Sequence, residues 1–255
     1  MIILIGHGFV GTAIASYMRH FGISFNHVSH RNLGAIRDAD SVINAAGYIG
    51  QPNVDACEIN RMACAEGNIL FPLILAESCK RYGKKLVHVS SGCIYQGSGD
   101  YTESDAPNFQ DSFYSFTKAA AETALRGYDV RLMRIRMPFL DGVHPRCVLA
   151  KLKGYAKWID GENSITYLPE AAAAAVTLTN EPAGTYNVTN PGTITNRQIA
   201  EYMGVTPQWW DEGDFFNKHA PRSFCTLNSE KMQEIMPMRN VHEIFTDIFE
   251  QRKVA

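Results

Sequence analysis

Tyr114 and Lys118 stand four residues apart in Tyr114-Ser-Phe-Thr-Lys118, inside a segment rich in Ala. Positions four apart share one face of a helix, so the ammonium can lie beside the phenol. A nearby cation lowers a phenol's pKa, which suits Tyr114 to exchange a proton near neutral pH. Taken alone this spacing is common, and a surface pair would explain it better. The setting gives it weight. Upstream, an apolar run ends Val89-Ser90-Ser91-Gly92-Cys93-Ile94-Tyr95. Open α/β sheets place ligands at such strand ends. Ser91 can donate a hydrogen bond to a substrate carbonyl beside Tyr114, and Ser90 is an alternative that sequence barely separates from it.

A second constellation opens the chain. Gly6-His7-Gly8-Phe9-Val10-Gly11 follows an apolar run directly and leads into helical spacing of Val10, Ile14 and Met18. In a G-x-G-x-x-G the first glycine permits the tight turn and the second lets backbone approach a pyrophosphate. The third allows close helix–strand packing. The helix N-terminus then offers unpaired N–H groups and a positive dipole end. Gly6, Gly8, Phe9, Val10 and Gly11 are therefore expected around a dinucleotide. An acid about twenty residues on usually marks NAD, but here the second strand ends Ser29-His30-Arg31. Arg31 offers a fork for a 2′-phosphate and Ser29 a hydroxyl. The expectation is NADPH, with NADH possible.

The elements that must carry these groups alternate. Strands are predicted at Ile2–Ile5, Ile23–Val28, Ser41–Ala45, Lys85–Ser90, Val130–Ile135 and Gly184–Val188. Helices are predicted at Gly8–His20, Cys57–Tyr82 (with Pro72 an irregularity), Phe113–Leu125, Leu149–Trp158 and Glu170–Leu178. Alternation of this kind implies right-handed βαβ units and a parallel sheet. The fold class is α/β, a Rossmann-type doubly wound parallel sheet with a small mixed C-terminal region. Residues 1–140 form the dinucleotide part, completed by about 168–190, and 141–255 mainly bind substrate.

Composition narrows the classes. With 255 residues, 24 basic and 26 acidic side chains, the chain is near-neutral. That argues against a nucleic-acid binder, which usually carries a basic patch. No apolar run reaches the ~18 residues of a membrane span. The start reads as a strand and not a signal peptide. The six cysteines lack C-x-x-C spacing, so no metal site is expected; they read as reduced thiols of a cytoplasmic protein.

Together these residues resemble the extended short-chain dehydrogenase/reductase family of nucleotide-sugar enzymes, also called the NAD-dependent epimerase/dehydratase family. The resemblance narrows through Asn44-Ala-Ala-Gly47, Pro52-Asn-Val-Asp55, Gly92-Cys-Ile-Tyr95, Pro107-Asn-Phe109 and Ser112-Phe-Tyr-Ser115. Arg134-Ile-Arg-Met-Pro138, Asn190-Pro-Gly192 and Pro221-Arg-Ser223 add to it. These are similar to the UDP-4-keto-6-deoxyglucose 3,5-epimerase/4-reductases of UDP-rhamnose synthesis. They are similar, more distantly, to GDP-fucose synthases and dTDP-4-dehydrorhamnose reductases. The resemblance implies a cytoplasmic homodimer acting on a nucleotide sugar, with Asn44, Ala45 and Ala46 joining Tyr114 and Lys118 at the cofactor. It implies Ser91, Tyr114 and Lys118 as the reductase set, and Cys93 with Lys151 as the epimerase pair. His144 is a weaker candidate for Lys151's place. Arg222 is a candidate diphosphate clamp, Asn108 and Phe109 are candidate sugar or base contacts, and Trp209 and Trp210 read more as core than as a base platform. Gln51, the short Gln96–Ala106 loop and Ser90-Ser91 depart from the plant pattern. A 4-ketoreductase without epimerase activity therefore stays open beside the bifunctional reading. The family also contains non-catalytic nucleotide-binding regulatory subunits, a second alternative set against the retained Ser91, Tyr114 and Lys118.

Overall fold

The computed structural model describes residues 1–29, 33–142 and 144–254. Six strands form one parallel sheet: β1 (Ile2–Ile5), β2 (Phe25–Val28), β3 (Ser41–Asn44), β4 (Lys85–Ser91), β5 (Val130–Ile135) and β6 (Gly184–Asn187). Their spatial order is β2-β1-β3-β4-β5-β6. The chain turns back between β1 and β3, because β2 lies on one side of β1 and every later strand on the other. Between β2 and β3 the described residues form a 3-10 turn, Leu33–Asp38, and β2 is the edge strand of the described sheet. The switch point, where doubly wound sheets hold ligands, thus falls at the C-terminal ends of β1 and β3.

Strand residues alternate between two apolar layers, which is why the strands read as apolar throughout. On one face Leu4, Ile43, Val87 and Met133 pack with Ile14 and Met18 of α1 (Phe9–His20). On the other face Ile3, Val42, Leu86 and Leu132 pack with Leu75, Ala76 and Cys79. Each such buried aliphatic side chain contributes about 1.5–3 kcal/mol relative to exposure.

The predicted Cys57–Tyr82 helix is instead α2 (Asp55–Ile59), α3 (Arg61–Ala65), a π turn at Glu66–Leu70 and α4 (Phe71–Tyr82). It breaks at Asn60, where ψ is 51°. The irregularity expected at Pro72 lies in the turn before it. Proline lacks the N–H that residue 68 would need, and a widened turn absorbs the loss. Arg61–Tyr82 is long and apolar enough to cross a membrane by length and composition. One side of it, through Leu75, Ala76 and Cys79, is nevertheless buried on the sheet.

Then come α5 (Phe113–Ala124), α6 (Val148–Gly154) and α7 (Leu168–Thr177), the last beside α1 on the first face. The predicted helix Leu149–Trp158 stops at Gly154, and Lys157–Trp158 is a short strand paired with Gln208–Trp209. Glu162–Asn163 pairs with Ile194–Thr195, and Gly97–Tyr101 with Cys225–Leu227. The last of these pairs fastens the C-terminal part to the segment that follows β4.

Candidate active site

A cavity of about 840 Å³ opens at the switch point and runs from the glycine turn to the C-terminal segment. At its first end Gly6 has φ +109°, and a Cβ there would stand 2.5 Å from Ala46 N. A Cβ on Gly11 would meet Gly6 O at 1.9 Å, so Gly11 serves the packing of α1 on β1 and does not line the cavity. Around Gly8 an added Cβ meets nothing within 4 Å. The backbone there is open to the cavity, and α1 has no side-chain cap on its first N–H groups. Those uncapped donors, beside Phe9, Val10, Ala45 and Ala46, fit the pyrophosphate of a dinucleotide. Asn44, expected at the cofactor, is corrected: it is fully buried and outside the cavity lining. Its Oδ1 accepts from Ala46 N at 3.0 Å and its Nδ2 meets His88 Nδ1 at 3.0 Å, so it shapes the turn. Ser29 is exposed at the end of β2 and outside the cavity lining. Arg31 lies outside the described residues.

The second wall is built by β4 and α5. Ser112 caps α5 by accepting from Ser115 N at 3.2 Å. One turn in, Tyr114 and Lys118 face the cavity together. The Lys118 ammonium donates to Val89 O at 3.2 Å. Burial pulls it down to about 8, against the opposing influence of Glu122, Cys93 and Cys64. The expectation that Tyr114 is acidified is not met. Burial first, and Cys93 second, push the phenol up, while its hydrogen bond with Ser91 pulls the other way. A phenol that keeps its proton at neutral pH suits a proton donor.

The structure separates the two serines. Ser90 Oγ donates to Glu122 Oε1 at 2.6 Å, and Glu122 is held by Arg134 at 2.7 Å in a buried ion pair. Ser91 is the one bonded to Tyr114, and its Oγ also accepts from Cys93 N at 3.2 Å.

Cys93 is half-buried and lines the same cavity as Lys151 of α6. Burial, then the nearby Arg146 and Arg222, lower the Lys151 ammonium. His144 is outside the lining: its ring stacks on Phe9 at 4.3 Å, and its Nδ1 accepts from Arg146 N at 3.1 Å. Arg222 does line the cavity, yet its guanidinium pairs with Asp55 at 2.7 Å and donates to Ala220 O at 2.8 Å. Burial would raise the Asp55 carboxyl, but Arg222, the Ala220 N–H and His219 together hold it below the usual carboxylate range.

Two predicted contacts are corrected. Asn108 is exposed and spent on Gln96 N (2.9 Å), Gln96 O (3.2 Å) and Tyr101 Oη (2.8 Å). Phe109 is buried, and neither residue lines the cavity. Trp209 packs edge-on against Trp158 at 6.1 Å, whereas Trp210 is a cavity wall. Sequence reasoning missed Asp55 and Arg136. Both sat inside quoted motifs, but their partners lie far along the chain. Among the described residues no cluster of His, Cys, Asp or Glu could hold a metal.

A family model described as the RmlD substrate binding domain matches residues 10–157. The chain belongs to this family. Among RmlD-related proteins it is similar to an Arabidopsis thaliana protein named bifunctional dTDP-4-dehydrorhamnose 3,5-epimerase/dTDP-4-dehydrorhamnose reductase. The two are 32% identical, over 96% of this chain and 91% of that protein. It is 30% identical, over 90% of its length, to an Arabidopsis trifunctional UDP-glucose 4,6-dehydratase/UDP-4-keto-6-deoxy-D-glucose 3,5-epimerase/UDP-4-keto-L-rhamnose-reductase. It spans 38% of that longer protein. In fold it matches the crystal structure of the L780 UDP-rhamnose synthase from Acanthamoeba polyphaga mimivirus. The TM-score is 0.90, with 24% identity, over 98% of this chain and 99% of that one.

Proposed function

We propose that this RmlD-family chain is a bifunctional nucleotide-sugar 3,5-epimerase/4-ketoreductase. Its substrate is a UDP-linked 4-keto-6-deoxyhexose, and its product is a 6-deoxyhexose nucleotide such as UDP-L-rhamnose. One observation carries the reading: Ser91, Cys93, Tyr114, Lys118 and Lys151 line a single cavity that begins at an uncapped, glycine-built helix N-terminus. The names of the two plant relatives support both activities and the two candidate nucleotides, dTDP and UDP.

The residues divide the chemistry. Ser91 and Tyr114 donate hydrogen bonds to the C4 carbonyl oxygen, which lowers the cost of an enolate. A proton α to that ketone then leaves to a base on one side and returns from an acid on the other. Cys93 and Lys151 supply that pair. In the reductive half, Tyr114 gives its retained proton to the C4 oxygen while Lys118 holds the cofactor ribose. Bound along the glycine turn, a nicotinamide dinucleotide supplies the hydride. NADPH is the proposed donor, because no carboxylate ends Phe25–Val28 and its following Ser29-His30-Arg31 to repel a 2′-phosphate.

The proposal extends to a homodimer. Ile59, Met62, Leu70, Ile74 and Phe116 leave large apolar side chains exposed on the α2–α5 side, more than a solvated face carries. It extends to the cytoplasm, since all six cysteines are free thiols.

The test is reaction in heavy water with NADPH and the 4-keto-6-deoxyglucose nucleotide. Deuterium at C3 and C5 and an L-configured product by NMR are expected. Reduction without deuterium at either carbon leaves a ketoreductase only. Absence of NADPH oxidation with any 4-keto sugar nucleotide removes the enzyme reading.

A further inference from the structure

Arg136 is one of the largest fully buried side chains in the protein, with 2% of its surface exposed. It follows the last residue of β5, Ile135, which lies beside Ser91 in the sheet. Its backbone N–H donates to Thr166 Oγ1 at 2.9 Å. Gly92 gives the stem passage: a Cβ there would stand 3.3 Å from Arg136 Cδ and 2.6 Å from Leu227 Cδ1.

The guanidinium lacks an ordinary counter-ion. Nη2 donates to Asn163 Oδ1 and to the Ser223 carbonyl, both neutral acceptors. Nε is buried without a partner. Nη1 donates to Cys93 Sγ at 3.1 Å. Among the described residues no carboxylate lies within ion-pair distance of Arg136, whereas Arg134, two residues earlier, is paired with Glu122. A buried cation facing only neutral groups is costly, and the cost falls if a negative charge forms against it. Among the described residues two thiols feel this charge; Cys225 is buried off the cavity lining and burial pushes it up, whereas the Cys93 sulfur faces the cavity.

We propose that Arg136 is a positioning residue that stabilises an anionic sulfur at Cys93, which makes Cys93 the proton acceptor and Lys151 the proton donor of the epimerisation. The proposal rests on the epimerase reading above. In the step, the carbon–hydrogen bond α to the C4 ketone breaks and a sulfur–hydrogen bond forms. The electron pair moves into the enolate, whose oxygen Ser91 and Tyr114 hold. The Lys151 ammonium then gives its proton to the other face of that carbon, breaking N–H and forming C–H. Solvent takes the thiol proton and returns one to the amine, so charge and atoms balance. Burial and two nearby arginines lower the Lys151 ammonium, which eases its release of a proton.

The test reads Cys93 directly. The other five cysteines are buried, so iodoacetamide labels Cys93 selectively, followed by peptide mass spectrometry. In Arg136→Gln the alkylation rate at pH 7 is expected to fall at least ~10-fold, with its rate–pH profile displaced upward. Arg136→Lys keeps a charge and is expected to recover most of the rate. Deuterium wash-in at C3 and C5 is expected to drop with it. Reduction of the already epimerised 4-keto nucleotide, which needs no thiolate, stays within a few-fold. Alkylation profiles that superimpose on the parent in both variants overturn the proposal, as does equal loss of wash-in and reduction. If Arg136→Gln does not fold, Arg136→Met, which keeps an unbranched stem without the charge, decides it: an alkylation profile displaced upward supports the proposal and one superimposed on the parent overturns it. Failure of the epimerase reading is recognisable separately, because the parent enzyme would then show no wash-in while the alkylation comparison still stands.

Discussion

The Ser90 hydroxyl gives its hydrogen to Glu122 at 2.6 Å, on the side of β4 that faces the Arg134 ion pair. Strand alternation then sends Ser91 toward Tyr114. Adjacent serines thus have different tasks. Ser91→Ala is expected to lower kcat/KM for ketone reduction by about 10²–10³-fold, as loss of an oxyanion donor does. Ser90→Ala is expected to keep the rate within a few-fold and lose about 1–3 kcal/mol of stability, because Glu122 loses a buried partner. Steady-state kinetics and urea titration of both variants decide it. Equal kinetic damage from both would refute the assignment.

Glu122 and Arg134 form a bidentate pair that is almost wholly buried, with Arg134 Nε and Nη2 both donating. Removing one partner leaves an unpaired buried charge. Glu122→Ala is expected to cost about 3–5 kcal/mol, read as the shift in urea unfolding free energy. A loss under about 1 kcal/mol would mean that water reaches the pair.

Much of this was legible because it is local. The glycine turn, the apolar strands and the Tyr114–Lys118 spacing are fixed by short-range geometry, and the sheet forms where the pattern places it. The choice between Ser90 and Ser91 was not legible, because both meet α5 and the sequence does not say which hydroxyl reaches Tyr114 and which reaches Glu122 two turns on. Asn108 looked like a contact residue because it sits in a recurring motif, yet its amide closes a loop on Gln96 and Tyr101. Arg136 and Asp55 were invisible as functional residues, since their partners at Asn163, Ser223 and Arg222 are brought to them only by tertiary assembly. The two-residue strands at Lys157–Trp158 and Gln208–Trp209 are too short to show any period.

Lys118 sets an alkaline limit. Burial depresses its ammonium to about 8 in the folded protein, well below the ordinary ~10.4 of a lysine. Below pH 8 the charge proposed to hold the ribose is present, and it is lost as pH rises through 8. The reductase kcat/KM is expected to decline on that limb, and Lys118→Arg to be slower but flat there, since guanidinium stays charged. For folding the sign is opposite. Between pH 8 and ~10.4 the unfolded chain holds the proton that the folded chain has released, so this group adds stability as pH rises. A pH–rate profile flat to pH 10 in the parent would overturn the expectation.

Asp55 joins the first half of the chain to the C-terminal wall of the cavity. Its carboxylate takes Arg222 at 2.7 Å and the Ala220 N–H at 3.0 Å. Arg222 is thereby held in place at the cavity with part of its fork already occupied. Asp55→Asn keeps the shape and one acceptor but removes the charge, so Arg222 is free to swing. Two effects compete. A freed guanidinium gains donors for a diphosphate, but it loses the preorganisation that makes binding inexpensive. The second is expected to win, because the Ala220 N–H bond that shapes this segment weakens together with the ion pair. KM for the sugar nucleotide should rise about 10-fold, some 1.4 kcal/mol, with kcat for reduction nearly unchanged because Ser91 and Tyr114 are untouched. The carboxyl is held below its usual range, so this difference should persist at every pH above ~4. A fall in kcat at constant KM would place Asp55 in the chemistry instead of the wall.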